Sequence, residues 1–89
     1  MLSEPVTIIN KFGLHTRAAA KLVALASQFE SQIEFNYNQQ TANCKSIMSL
    51  ILLGANKGAA LELIISGADE HKARDAIINL IQARFDEKE

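Results

Sequence analysis

The chain has 89 residues, 48% of them hydrophobic and only 6% aromatic, and a formal net charge of −1. This length supports one small core and not two, so a single domain is expected, built largely on Ile, Leu, Val and Ala. The near-neutral charge gives no general attraction for nucleic acid, and no apolar run, Leu50 to Leu53 included, approaches the length of a bilayer span.

Val6 and Ile8 alternate with Thr7 in the stretch Pro5 to Asn10, which predicts a first strand with one buried face. Gly13 permits a tight turn. Thr16 to Phe29 is free of Gly and Pro and carries Ala19, Leu22, Val23, Ala26 and Phe29 at helical spacing, which predicts a helix. Ile33, Phe35 and Tyr37 alternate with Glu34 and Asn36, and a second extended stretch, Gln40 to Ala42, follows the polar pair Asn38-Gln39. Ile33 to Ala42 therefore reads as a hairpin. Ser46 to Leu53 predicts a shorter helix opened by Ser46 as N-cap and stopped by Gly54, with Asn56-Lys57-Gly58 turning the chain. Leu61, Leu63 and Ile65 mark a fourth strand. Ala73, Ile77, Leu80, Ile81 and Phe85 mark a last helix, and the charged tail Asp86-Glu87-Lys88-Glu89 is expected to fray.

The order is βαββαβα. Helices with one apolar stripe and strands with one apolar face are satisfied by an α+β open-faced β-sandwich, a four-stranded antiparallel sheet with three helices on one face. The lone Cys44 cannot form an internal disulfide, and the chain opens without the features of a signal peptide, so cytoplasmic residence is expected; a monomer is expected as well.

The densest chemistry lies in Gly13-Leu14-His15-Thr16-Arg17-Ala18-Ala19-Ala20-Lys21, where a histidine stands between a strand and an alanine-rich helix. A helix beginning at or just after His15 leaves the amides of Thr16, Arg17 and Ala18 unpaired and directed at the imidazole, where the helix dipole favours an anion. Arg17 adds a guanidinium fork suited to phosphate oxygens. His15 is thus a candidate nucleophile toward phosphorus, with Arg17 stabilising the phosphoryl charge. No carboxylate lies beside His15 in the sequence. The other histidine, His71, reads as a surface residue and Cys44 as an inert small one. No metal-ligand spacing and no nucleotide loop is present, so neither metal nor cofactor is expected.

The run Gly13 to Ala18 resembles the phosphorylation-site motif of the histidine-containing phosphocarrier (HPr) proteins of the bacterial phosphotransferase system. That motif runs Gly, an aliphatic residue, His, Ala or Thr, Arg, and Pro or Ala. Lys45-Ser46-Ile47-Met48, the pair Gly54 and Gly58, and Gly67 also fall at the family's spacing, so the likeness spans almost the whole chain. The resemblance implies the same open-faced sandwich. It also implies phosphorylation at Nδ1 of His15 by enzyme I, itself charged from phosphoenolpyruvate, and onward transfer to a IIA-type protein. Such a protein is a covalent intermediate rather than a turnover enzyme.

A carrier must show both partners one apolar patch, and Thr16, Ala20, Ile47, Met48 and Ile51 are the candidates, whereas Leu50 and Leu53 read as core. In some family members the serine at the position of Ser46 is phosphorylated by a regulatory kinase. Locally, Ser46 reads as a helix cap. Ala18 in place of the commoner Pro, and Ala24 and Ser27 where sugar-branch members often carry lysines, depart from the sugar branch; with Thr7-Ile8-Ile9-Asn10-Lys11, the triple alanine after Arg17 and the ending Arg84-Phe85-Asp86-Glu87, the chain looks most like the nitrogen-related branch. That branch runs a regulatory phosphorelay through its own enzyme I and IIA protein. The alternatives are a sugar-transport carrier or a serine-phosphorylated corepressor-type interaction module, which typically lacks the active histidine.

Overall fold

The computed structural model describes all 89 residues. The elements are β1 (Leu2–Thr7), α1 (Thr16–Ala26), β2 (Gln32–Tyr37), β3 (Gln40–Asn43), α2 (Ile47–Leu53), β4 (Ala60–Ser66) and α3 (Glu70–Gln82). The four strands form one antiparallel sheet in the order β1-β4-β2-β3. Val6 lies opposite Leu61, and Phe35 opposite both Leu63 and Ala42, so the period-two alternation delivers these residues to one face. There they meet Leu22, Leu50 and Ile77 from the helices in a continuous apolar core. The other face is polar and open. Glu62 accepts hydrogen bonds from Ser3 (2.7 Å) and Asn36 (3.3 Å), and Thr41 donates to Asn36 (2.7 Å).

The βαββαβα order and the four-stranded sheet with its three helices agree with the expectation, while the boundaries of β1, α1 and α3 differ from it. β1 runs from Leu2 and ends at Thr7, because Ile8 leaves the ladder to pair with the loop before β4. Its amide donates to Ala59 (3.0 Å) and its carbonyl accepts from Gly58 (2.7 Å). α1 stops at Ala26 rather than Phe29. Gln28 and Phe29 close onto the carbonyls of Leu25 and Ala26 at 3.1 Å, and Lys45 Nζ caps the Phe29 carbonyl at 2.7 Å. The short helix keeps its expected bounds, with Ser46 as N-cap before Ile47 and Gly54 as C-cap.

The difference at the end of α3 matters most for function. α3 ends at Gln82, and Arg84, Phe85 and Asp86 follow in the left-handed region, with φ of 56°, 53° and 63°. This reversed turn drops Phe85 into the core at 0% exposure and sends the chain back over the start of α1. The charged tail is therefore docked rather than frayed: the Lys11 amide donates to the Glu89 carbonyl, and Lys11 Nζ pairs with the Glu89 carboxylate at 3.1 Å. The expectation failed because Phe85 stands at helical spacing from Ile81 yet reaches the core by a different backbone path, and that path carries the following residues inward.

Candidate functional site

The loop that presents His15 is fixed from below. Gly13 holds φ of +65°, and a Cβ there would stand 2.6 Å from the Ala55 carbonyl oxygen, so only glycine serves both the turn and the close approach. Leu14 is buried, and its amide donates to the same Ala55 carbonyl at 2.9 Å. Asn10, fully buried, donates from Nδ2 to the Gly13 carbonyl at 2.9 Å. The backbone on both sides of the histidine is thereby anchored.

His15 is the N-cap residue of α1, in extended conformation with ψ of 178°, and its side chain makes no capping bond. The first rung of the helix is the Ala19 amide donating to the His15 carbonyl at 2.8 Å. The amides of Thr16, Arg17 and Ala18 precede that rung and have no backbone partner, as the sequence predicts. Arg17 is exposed at the same mouth. The site thus combines an imidazole, three free amides at the positive end of a helix dipole, and a guanidinium. Chemically it suits a group that forms an N–P bond on the ring and is then held by the surrounding donors.

Two residues at the site have no local sequence signal. Phe12, 62% exposed, lies with its ring edge-to-face to the His15 ring, centroids 5.8 Å apart. Glu87 arrives on the docked tail: Oε2 meets His15 Nε2, and Oε1 accepts from Asn10 Nδ2 at 2.9 Å. The His15 side chain is 28% exposed and that of Glu87 only 11%. Burial pushes the Glu87 carboxyl upward, but the hydrogen bonds from Asn10 and His15, the positive charge of Arg17 and that of the His15 ring when it is protonated outweigh it. The group is held below the ordinary carboxylate value. Beside it a cleft of about 390 Å³ opens between Phe12, Arg17, Lys21 and the tail.

The candidate docking residues fall on one rim. Thr16 and Ala20 are exposed on α1, which packs against α2, where Ile47 is 39% and Met48 61% exposed. Ile51 is half-buried against the core, and Leu50 and Leu53 are buried in it. The most exposed apolar residue of the rim, Leu52 at 73%, escaped the sequence reading because α2 is apolar almost all round and periodicity cannot choose its outer face. Ser46 caps α2, its Oγ accepting from the Ser49 amide at 3.2 Å. His71 is exposed at the start of α3. Cys44 is fully buried; burial, and then the charge of Glu34, push its thiol far up, which makes it inert. No group of three or more His, Cys, Asp or Glu side chains is placed to hold a metal ion, and no helix is long and apolar enough to cross a membrane.

A family model described as "PTS HPr component phosphorylation site" matches residues 2–83. The chain belongs to the HPr phosphocarrier family. It is 46% identical to phosphocarrier protein HPr of Cupriavidus necator over 89 residues, covering 100% of both chains. It is 42% identical to phosphocarrier protein NPr of Shewanella violacea, covering 97% of this chain and 94% of the relative. Among solved structures, HPr-C-His from Thermoanaerobacter tengcongensis superposes with a TM-score of 0.95 at 39% identity over 100% of both chains. Crh, the Bacillus subtilis catabolite repression protein, gives 0.76 at 32% identity over 94% of this chain and 97% of its own. The antiparallel sheet with its helical layer is the fold of this family, and the chain is an HPr-type phosphocarrier of the phosphotransferase system.

Proposed function

We propose that this carrier accepts its phosphoryl group on Nδ1 of His15 from an enzyme I charged by phosphoenolpyruvate, and passes it to a histidine of a IIA-type protein in the cytoplasm. The observation that carries the assignment is the helix mouth: His15 caps α1 without using its side chain, and the amides of residues 16–18 have no backbone partner. Those amides and Arg17 would receive the phosphoryl oxygens. The apolar rim formed by Thr16, Ala20, Ile47, Met48 and Ile51, now extended by Leu52 and Phe12, suits weak, fast docking to a donor and an acceptor in turn. Phosphorylation of Ser46 would place negative charge beside that rim, a plausible brake on docking in a cell that has the kinase.

The branch we favour is the nitrogen-related one, with a nitrogen-branch enzyme I as donor. Its support is the weakly basic outer face of α1, where Ala24 and Ser27 are exposed and the last turn carries no basic residue. The sugar-transport branch is the second reading, favoured by the HPr relatives at 46% identity.

The test is incubation with phosphoenolpyruvate and enzyme I, followed by mass measurement before and after acid treatment. An acid-labile phosphoryl group, absent from His15→Ala, is the expected result. An acid-stable group would point to serine and the corepressor-type reading.

A further inference from the structure

Glu87 does something for which neither the helix mouth nor the family match accounts. The match runs over residues 2–83 and stops short of it, yet its carboxylate meets Nε2 of the His15 ring. Resting on the assignment of His15 as the phosphoryl acceptor, we infer that Glu87 is a positioning residue: its carboxylate holds the Nε2 proton, aims the Nδ1 lone pair at the incoming phosphorus, and balances the ring charge that phosphorylation creates.

The geometry builds this contact from several directions. A neutral imidazole has one N–H, and an ionised carboxylate is acceptor-only, so the His15–Glu87 contact is made by Nε2–H and leaves Nδ1 as the lone-pair nitrogen. The second carboxylate oxygen is held by Asn10, whose other Nδ2 hydrogen is tied to Gly13, so one buried amide fixes the carboxylate and the histidine loop together. The tail that brings Glu87 is tied down by buried Phe85, by Lys21 Nζ donating to the Phe85 carbonyl at 2.8 Å, and by Lys11 pairing with Glu89. Three successive non-glycine residues keep a left-handed conformation to make this path, and such strain survives only where the surroundings over-determine it.

The step balances without an added proton. The Nδ1 lone pair forms the new N–P bond while the P–N bond to the donor's histidine breaks and its electron pair returns to the donor ring. The Nε2 proton stays on His15, whose ring becomes an N-phosphorylated imidazolium, and the Glu87 carboxylate faces the positive charge so formed. Transfer to the acceptor reverses these movements, and the ring leaves as neutral imidazole still bonded to Glu87. The arrangement follows the general logic by which a carboxylate orients a catalytic imidazole through its far nitrogen.

The test uses the full chain with Glu87→Gln, Glu87→Ala and Glu87→Asp. The Gln variant keeps the shape of the tail and removes only the charge. Two quantities are read: the solvent exchange of the His15 Nε2 proton by nuclear magnetic resonance, and the rate of phosphoryl acceptance from charged enzyme I. We expect a protected Nε2 proton in the parent chain, lost in Glu87→Ala, together with about tenfold slower acceptance in Glu87→Ala and Glu87→Gln and partial recovery in Glu87→Asp. Parental or faster acceptance by Glu87→Gln, with the Nε2 proton exchanging as in the parent, overturns the inference. His15→Ala run in parallel separates the two assignments: continued acid-labile labelling of that variant removes the acceptor role itself, whereas an unlabelled His15→Ala beside a parental Glu87→Gln removes only the role of Glu87.

Discussion

Lys21 of the first helix donates a 2.8 Å hydrogen bond to the carbonyl of Phe85, so the helix that presents His15 also holds the segment that leads to Glu87. The Phe85 side chain is fully buried and the residues on either side of it are exposed, which makes it the one apolar anchor of the tail. Phe85→Ala should therefore cost about 3–5 kcal/mol, the usual range for emptying an aromatic site. Thermal unfolding followed by circular dichroism would measure it, and a loss below about 1 kcal/mol would show that the left-handed turn is not held by this side chain.

At the helix mouth, His15→Ala should abolish phosphoryl acceptance while the four-stranded sheet stays intact, because the core lies beneath Leu14 and Ala18 rather than in the ring. Arg17→Ala should slow acceptance without stopping it, since the backbone amides of residues 16–18 remain. An unchanged rate for Arg17→Ala would mean that its guanidinium is not aimed at the phosphate.

Ser46→Ala removes the acceptor of the Ser49 amide at the start of α2, and should cost about 0.5–2 kcal/mol with phosphotransfer retained. Chemical denaturation of the two proteins is the measurement. Equal midpoints would show that the cap is dispensable.

Two carboxylates tie distant segments together and titrate in the folded state. Asp69 accepts from the hydroxyl and amide of Ser31 and from the amide of Glu30, and these bonds, led by the Ser31 side chain, lower its carboxyl below the ordinary value. Glu87 is lowered as well. A carboxyl whose folded value lies below its unfolded one contributes stability that is fully present above the unfolded value and is lost as pH falls through the folded value. Stability should thus be flat near neutrality and decline on the acid side, beginning as pH falls through the ordinary carboxylate range and continuing down through the lowered folded values. Asp69→Asn should flatten part of that decline. Denaturation midpoints measured across the acid range would show it, and an equally steep decline in Asp69→Asn would exclude Asp69 as a contributor.

Partner choice is open to the same treatment. If acceptors are told apart by charge, lysines placed at Ala24 and Ser27 should shift donation toward acidic sugar-branch IIA proteins, mainly through the association rate, and the shift should shrink as salt rises. Transfer rates to both kinds of acceptor at two ionic strengths would decide it. Equal rates for the parent chain would remove the physical support for the nitrogen branch and leave the carrier assignment standing.

Local pattern sufficed wherever a single segment decides its own structure. The alternation of Ile33, Phe35 and Tyr37, the helical spacing of Ala19, Leu22 and Ala26, and the Ser46 and Gly54 caps of the short helix each report which face is buried or where a turn must end. The start of α1 at Thr16, and with it the row of free amides around His15, was legible for the same reason: the four amides that open a helix lack partners whatever the rest of the chain does.

Glu87 was not legible, because 72 positions separate it from His15 and no local propensity encodes a left-handed turn of Arg84, Phe85 and Asp86. That turn exists because burying Phe85, bonding its carbonyl to Lys21 and bonding the Glu87 carboxylate to Asn10 together outweigh the backbone strain. Nor could the pattern choose the outer side of α2, where Leu50 and Leu53 are core and Met48 and Leu52 face outward, since a helix apolar on both sides is oriented only by what it packs against. The sequence by itself determined the elements and the row of unpartnered amides that opens α1; the tertiary structure decided which carboxylate faces the histidine and which apolar side chains stay exposed, because both depend on contacts between segments far apart in the chain.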